Sequence, residues 1–302
     1  MAVLVTGGSG FIGQKLIPLL GDCLVTSRNP QGAAKKFHGL PVEIVPWDPG
    51  KQPLELPSDT KIDSVINLMG ESIAAGRWNP AKKKRILDSR VQGTNALLQG
   101  LAGLDTPPAS LVSTSAIGFY GDRGDDRLSE DAVAGHGFLA DVCQQWERAA
   151  QQGTELGMRV TIVRVGIVMG NGGGALDGLL PAFRKGIGGK LGNGKQWISW
   201  VHIEDLVRLF CWATGNPSVV GPLNATAPNP VTNAEFTASL ATAVGMPACL
   251  PIPRIALRLA IGEFADSLYE SLRVIPEKAT QNGFEFIFKE LDACLADLLP
   301  KR

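Results

Sequence analysis

Gly7, Gly10 and Gly13 recur at three-residue intervals in Thr6-Gly7-Gly8-Ser9-Gly10-Phe11-Ile12-Gly13, and Gly8, Gly10 and Gly13 also satisfy G-x-G-x-x-G. The chemistry open to this spacing is the holding of a pyrophosphate. One glycine supplies positive φ for the turn, one lets backbone approach the anion, and one lets a helix sit close on the strand. Amides of Phe11 and Ile12, at the start of that helix, then face the phosphate. Such a match is weak alone; here the apolar run Val3-Leu4-Val5 precedes it and a helical pattern follows. The other reading is an ordinary tight turn.

A second apolar run, Cys23 to Arg28, ends about twenty residues beyond the glycines, where an acid would accept from an adenine-ribose 2′-hydroxyl. Here the residues are Ser27 and Arg28, with no carboxylate. Arginine accommodates a 2′-phosphate, so the expected cofactor is NADP(H), the alternative being an arginine that only solvates the strand end. Ser113-Thr114-Ser115 closes another apolar run and places three hydroxyls where α/β sheets bind ligands, although hydroxyls also form turns. Gly70-Glu71-Ser72-Ile73-Ala74 approaches the hydrolase motif G-x-S-x-G but lacks its last glycine.

Composition narrows the partners. Lys plus Arg and Asp plus Glu are each 29 in 302 residues, so nothing favours nucleic acid or an anionic membrane. The run Lys82-Lys83-Lys84-Arg85 reads as a solvated helix face, nucleic-acid contact being the alternative. Cys23, Cys143, Cys211, Cys249 and Cys294 are scattered, which suits reduced thiols. His38, His136 and His202 have no ligand spacing, so no metal site is expected, and His202 reads as packed between apolar neighbours. No apolar stretch reaches membrane-spanning length. A core strand beginning near Met1 implies a cytoplasmic protein, or an organelle stroma after loss of a transit peptide. The expected partner is a small-molecule substrate.

The elements that must carry these residues alternate. Strands are expected over 23–28, 42–47, 64–70, 111–115, 159–169 and 223–227, with helices over 80–101 and 138–152, the latter burying Leu139, Cys143 and Trp146. Continuous apolar runs such as Ser64-Val65-Ile66-Asn67-Leu68-Met69-Gly70 fit strands covered on both faces. Beyond Gly170 the glycines at 172–174, 186–189 and 192–194 mark ligand-shaping loops. Asp205 is expected to cap or orient a helix, Thr232 and Glu235 to form a capping box, and 284–288 to be a short strand. The fold class is therefore α/β, a doubly wound parallel Rossmann sheet with a smaller C-terminal substrate-capping region. We expect residues 1–170 to form the nucleotide-binding domain, its sheet receiving later elements up to about residue 230. Residues 171–302 should form the cap.

Thr6 to Gly13, Asn67 to Gly70, Ser113 to Gly121 and Arg164 to Gly170 together resemble the extended short-chain dehydrogenase/reductases of the NAD-dependent epimerase/dehydratase family. Gly76-Arg77-Trp78, Asp88-Ser89-Arg90, Phe138-Leu139-Ala140, Trp146-Glu147, Trp200 to Asp205 and Asn224 to Pro228 resemble one atypical branch, named as nucleoside-diphosphate-sugar epimerases or cell-division inhibitors. That resemblance covers nearly the whole chain. It implies that Ser27, Arg28, Leu68, Met69 and Arg90 contact NADP, with Gly70 and Ser113 at the strand ends beside it. The wider family uses a Tyr and a Lys one helical turn apart for proton exchange; the register set by Trp146-Glu147 puts Leu139 and Cys143 there. Ser115 matches the family's hydroxyl position and is the candidate for polarising a carbonyl. The resemblance thus implies an NADP(H)-dependent oxidoreductase or sugar-nucleotide-epimerase-like enzyme without the usual pair. The alternative is an NADP(H)-binding regulator or sensor, linked to cell division, that turns nothing over.

Overall fold

The computed structural model describes residues 2–248 and 251–300. Its centre is a seven-stranded sheet: β1 (Val3–Thr6), β2 (Cys23–Ser27), β3 (Val42–Pro46), β4 (Ser64–Asn67), β5 (Ser110–Ala116), β6 (Arg159–Val165) and β7 (Gly221–Ala225). The spatial order is β7-β6-β5-β4-β1-β2-β3, and every pairing is parallel. The chain winds one way through β1, β2 and β3, then returns to place β4 on the other flank of β1. Ligands bind at such a switch point, outside the carboxyl ends of the strands.

Two helical layers explain why β1 and β4 carry apolar side chains on both faces. On one face Val3, Val5, Ile66 and Val163 pack with α1 (Phe11–Leu16), α2 (Pro30–Lys36) and α6 (Ile203–Gly215). On the other, Leu4, Val65, Leu111 and Ile162 meet α3 (Pro80–Leu101) and α4 (Phe138–Gln151). Alternate side chains of one strand thus enter different cores, and neither face can be polar. A third apolar cluster joins α5 (Gly174–Arg184), Trp200, α7 (Asn233–Val244) and the helix Leu291–Leu298. This is the region expected to form the cap.

Four expectations are corrected. The strand expected over 159–169 ends at Val165, and Ile167–Met169 pairs instead with Trp200–His202. Gly166 is the crossing point, where a Cβ would lie 2.7 Å from the Ser199 carbonyl oxygen. Residues 284–288 form no strand: the Ile287 and Phe288 amides donate to the Asp205 carboxylate, each at 2.8 Å. Asp205 thereby ties down the C-terminal segment, while His202 caps α6 by accepting from the Glu204 amide (3.1 Å). The basic run is not simply a solvated face, because Lys82 is 4% exposed and turns inward to Glu71 (2.7 Å) and the Ser72 carbonyl (2.8 Å). The capping box of Thr232 and Glu235 forms as expected. Cys23, Cys143, Cys211 and Cys294 are unbridged, and Cys249 lies outside the described residues.

Candidate functional site

The glycine turn joins the carboxyl end of β1 to α1. Gly7 has φ +66°, and a Cβ there would stand 2.6 Å from the Leu68 carbonyl oxygen, so the turn lies directly against the chain leaving β4. The Gly10 amide closes the turn onto the Gly7 carbonyl at 3.0 Å. A Cβ on Gly13 would drive into the Gly8 backbone, which is why α1 can seat so closely on the turn. These are the spatial requirements of a backbone cradle for phosphate. The Phe11 ring extends to the other side, where Gly170, Gly173 and Gly174 lie against it, while Ile12 packs into the core beneath.

At the end of β2, Ser27 is buried and its hydroxyl accepts from the Asn29 amide (3.1 Å); Asn29 in turn caps α2 through Gly32. Arg28 is exposed beside them. Sequence reasoning missed Lys36, whose Nζ donates to the Ser9 carbonyl at 2.9 Å from the last turn of α2. A lysine eight residues after the arginine was visible, but the reach from α2 back to the turn was not. Arg28 and Lys36 thus put two cations on the β2 side of the glycine turn, and neither Ser27 nor Arg28 at the end of β2 is an acid.

The ends of β4 and β5 are braced by Asn67. Its Oδ1 accepts from Thr6 Oγ1 (2.7 Å) and the Met69 amide (3.3 Å), and its Nδ2 donates to Thr94 and Ser113 hydroxyls, both at 3.1 Å. Ser113, expected to face a ligand, is thus a fully buried inter-strand brace. Leu68 packs toward the α1 side and Met69 against Gly93 of α3. Gly70 leaves room for Arg90, whose guanidinium carbon would lie 3.0 Å from a Cβ at that position.

Ser115 is 1% exposed, and its hydroxyl donates to Glu147 Oε1 at 2.7 Å. Glu147 also accepts from Arg164 Nε (2.9 Å) and Nη2 (2.8 Å) in a bidentate pair. Arg164 Nη1 donates to the Tyr120 hydroxyl (2.9 Å), which donates to Asn224 (2.7 Å). Burial pushes the Tyr120 phenol up to about 12, although Arg164 opposes the shift. This network was hidden in sequence because its members come from β5, β6, β7, α4 and the 3-10 turn Ile117–Tyr120 after β5. Leu139 packs on Gly118 and joins an apolar cluster with Trp78 and Phe138. One turn on, Cys143 lies beside Ser115, and burial followed by the Glu147 charge raises its thiol to about 11. Ser115 therefore spends its proton on Glu147 and offers only lone pairs, which departs from the expected carbonyl-polarising role.

Residues 3–224 match the model of the NAD dependent epimerase/dehydratase family, and residues 252–298 match a domain of unknown function, DUF1731. An epimerase family protein of Mycobacterium bovis is 38% identical, the alignment covering 94% of this chain and 93% of that one. The chloroplastic homolog of epimerase family protein SDR39U1 in Arabidopsis thaliana is 36% identical over 99% of this chain and 87% of its own. The crystal structure of human epimerase family protein SDR39U1 with NADPH superposes with a TM-score of 0.88 at 32% identity, covering all of both chains.

Proposed function

Because this chain belongs to the NAD dependent epimerase/dehydratase family, we propose that it binds NADP(H) and acts as an oxidoreductase on a small molecule without a Tyr and Lys pair. The supporting observation is the pair of cations on the β2 side of the glycine turn, Arg28 exposed at the strand end and Lys36 reaching the Ser9 carbonyl, with no acid in the place of Ser27 or Arg28. Ser27, Arg28 and Lys36 would hold the 2′-phosphate, and Gly7 to Gly13 the diphosphate, in a turn whose close packing on Leu68 and on Gly8 a Cβ at Gly7 or Gly13 would break. Human SDR39U1, crystallised with NADPH, supports the same choice. Leu68, Met69, Gly70 and Arg90 would line the other half.

Bound nicotinamide supplies hydride chemistry. The chain's own contribution there would be orientation, with Leu139 apolar, the Cys143 thiol protonated at neutral pH, and Ser115 an acceptor. None of these moves a proton at neutral pH, so a substrate proton exchanges with solvent. Sugar epimerisation, which needs an acid and base at one hydroxyl, fits this lining less well than simple oxidation or reduction. A sensor without turnover is the second reading, favoured by the commitment of Ser115 to a buried ion pair. Region 171–302 would close the substrate side.

Titration of NADPH and NADH into the parent and Arg28→Asp tests the cofactor. At least tenfold preference for NADPH, about 1.4 kcal/mol, is expected in the parent and its loss in the variant. Equal parent affinities would refute it. Oxidation of NADPH by a panel of carbonyl and quinone acceptors separates enzyme from sensor.

A further inference from the structure

The chain leaving β4 and the start of α4 carry an apolar cluster beside the carboxyl ends of β4 and β5. Trp78, Ile86 and Val142 are its buried floor, and Ile73, Phe138, Leu139 and Phe264 pack on them while staying half-buried. The Trp78 ring centre lies 5.2 Å from that of Phe138, edge to face, and 5.4 Å from that of Phe264. Phe264 comes from the region matched by DUF1731, so both parts of the chain build this wall. Leu139 seats it against the turn that follows β5, its Cβ standing 3.2 Å from where a Cβ on Gly118 would be. With the diphosphate at the β1 turn and the adenine end toward β2, the nicotinamide end extends over β4 and β5, toward this wall.

What the wall lacks selects its ligand. The Trp78 indole N–H is taken by the Ile73 carbonyl (2.7 Å). Lys83 Nζ stands 5.3 Å from the Phe138 ring centre and 5.9 Å from that of Trp78 and pairs with Glu263, so these two charges cancel. A sugar turned to such a wall would exchange its hydrogen bonds to water for apolar contact, which is unfavourable at every hydroxyl. A flat, uncharged ring gives up little and gains edge or face contacts with Phe138 and Phe264. The proton inventory narrows the choice further. Leu139 is no acid, Ser115 gives its proton to Glu147, and the Cys143 thiol, buried beside the Glu147 charge, keeps its own. Hydride addition to an aliphatic ketone leaves a strongly basic alkoxide, which needs a proton donor beside it. Addition to a quinone leaves a hydroquinone anion whose conjugate acid ionises at about pH 10, as a phenol does, so water can supply the proton afterwards.

Resting on the NADP(H) reading above, we infer that this wall binds a planar, uncharged quinone-type carbonyl as the hydride acceptor. The acceptor takes a hydride, two electrons with one proton, from NADPH: a C–H bond of the reduced nicotinamide breaks and an O–H bond forms on the quinone. NADP+ and the hydroquinone anion remain, and a proton from solvent completes the hydroquinone. Phe138, Leu139 and Phe264 are the specificity-determining residues, and Phe264 gives the C-terminal module its share in the site.

Duroquinone is the probe, because every ring carbon is substituted and thiols do not add to it. Calorimetric titration, with and without NADP+, gives its dissociation constant, and UDP-glucose is the polar comparison. Duroquinone should bind at least about tenfold more tightly. Phe264→Ala and Leu139→Asn should each weaken it at least about fivefold, with Phe264→Leu recovering at least about half of the loss, and thermal unfolding confirms each fold. NADPH affinity should stay within about twofold in Phe264→Ala. In turnover, kcat/KM should be at least about tenfold higher with duroquinone than with cyclohexanone. Should Phe264→Ala not fold, Leu139→Asn decides. Duroquinone bound no more tightly than UDP-glucose, unchanged affinity in either folded variant, or bound duroquinone that NADPH does not reduce would overturn the inference. A parent that binds duroquinone through these residues but binds no NADPH overturns the cofactor reading and the acceptor role with it. A parent that binds NADPH and fails the duroquinone tests overturns only this inference.

Discussion

Replacing Glu147 with Gln keeps the side chain's shape and removes its charge, which isolates the worth of the buried pair. Glu147 receives hydrogen bonds from Ser115 and from two guanidinium nitrogens of Arg164 at 2.7, 2.9 and 2.8 Å. Arg164 is 3% exposed. Its other neighbours are the Tyr120 hydroxyl, the Phe119 ring at 3.5 Å and the Glu130 carbonyl oxygen at 3.3 Å, none of which carries a compensating charge. Leaving one member of a buried pair unpaired costs about 3–5 kcal/mol. At about 2–4 °C per kcal/mol for a large domain, the unfolding midpoint should fall by about 6–20 °C. Urea and thermal unfolding followed by circular dichroism at neutral pH measure it. The double variant Glu147→Leu with Arg164→Leu, which removes both charges, should be less destabilised than Glu147→Leu alone. A Glu147→Gln loss below about 1 kcal/mol, or a double variant worse than the single, would refute the account of Arg164 as an obligatorily paired buried cation.

Gly13→Ala should destabilise the fold more than Gly10→Ala, because a Cβ at Gly13 drives into the Gly8 backbone while the nearest protein atom to one at Gly10 is the Gly7 carbonyl oxygen at 3.1 Å; parallel thermal unfolding of the two variants compares them. Cys143→Ser should leave NADPH affinity within about twofold, and a thiol reagent should label Cys143 only after unfolding, since burial holds the thiol near 11. Glu270 is raised from its ordinary 4.5 to about 7 by burial and by the Asp122 and Asp266 charges, so between those values the folded state binds the extra proton. Stability relative to a Glu270→Gln variant is therefore equal below pH 4.5, falls as pH rises through the window, and is lowest above about pH 7. Unfolding midpoints of both proteins across that range check the sign; a variant no more stable than the parent at pH 8 would contradict it.

Local signals determined the glycine turn and much of the central sheet of this protein. The glycine turn, the unbroken apolar strands and the missing acid after β2 are each decided by residues within a few positions of one another, where backbone sterics and side-chain type act directly. That Leu139 and Cys143 stand where the wider family has Tyr and Lys came from the resemblance, and α4 sets them one turn apart. Tertiary structure decided what each polar side chain does. Ser113 and Ser115 look alike at the end of one strand, yet one braces Asn67 and the other belongs to Glu147. Lys36 reaches Ser9 across 27 positions, and Tyr120 meets Asn224 across 104. Asp205 became an anchor for Ile287 and Phe288, because a carboxylate took the amides that a strand would have used. Arg90 could be assigned to the cofactor by resemblance, but that it makes no ion pair among the described residues appeared only once folding had given the Glu71 carboxylate to Lys82 and Arg85. A hydrogen bond or ion pair depends on where its partner lands, and here the partners came from distant stretches brought together by the crossover connections of the sheet.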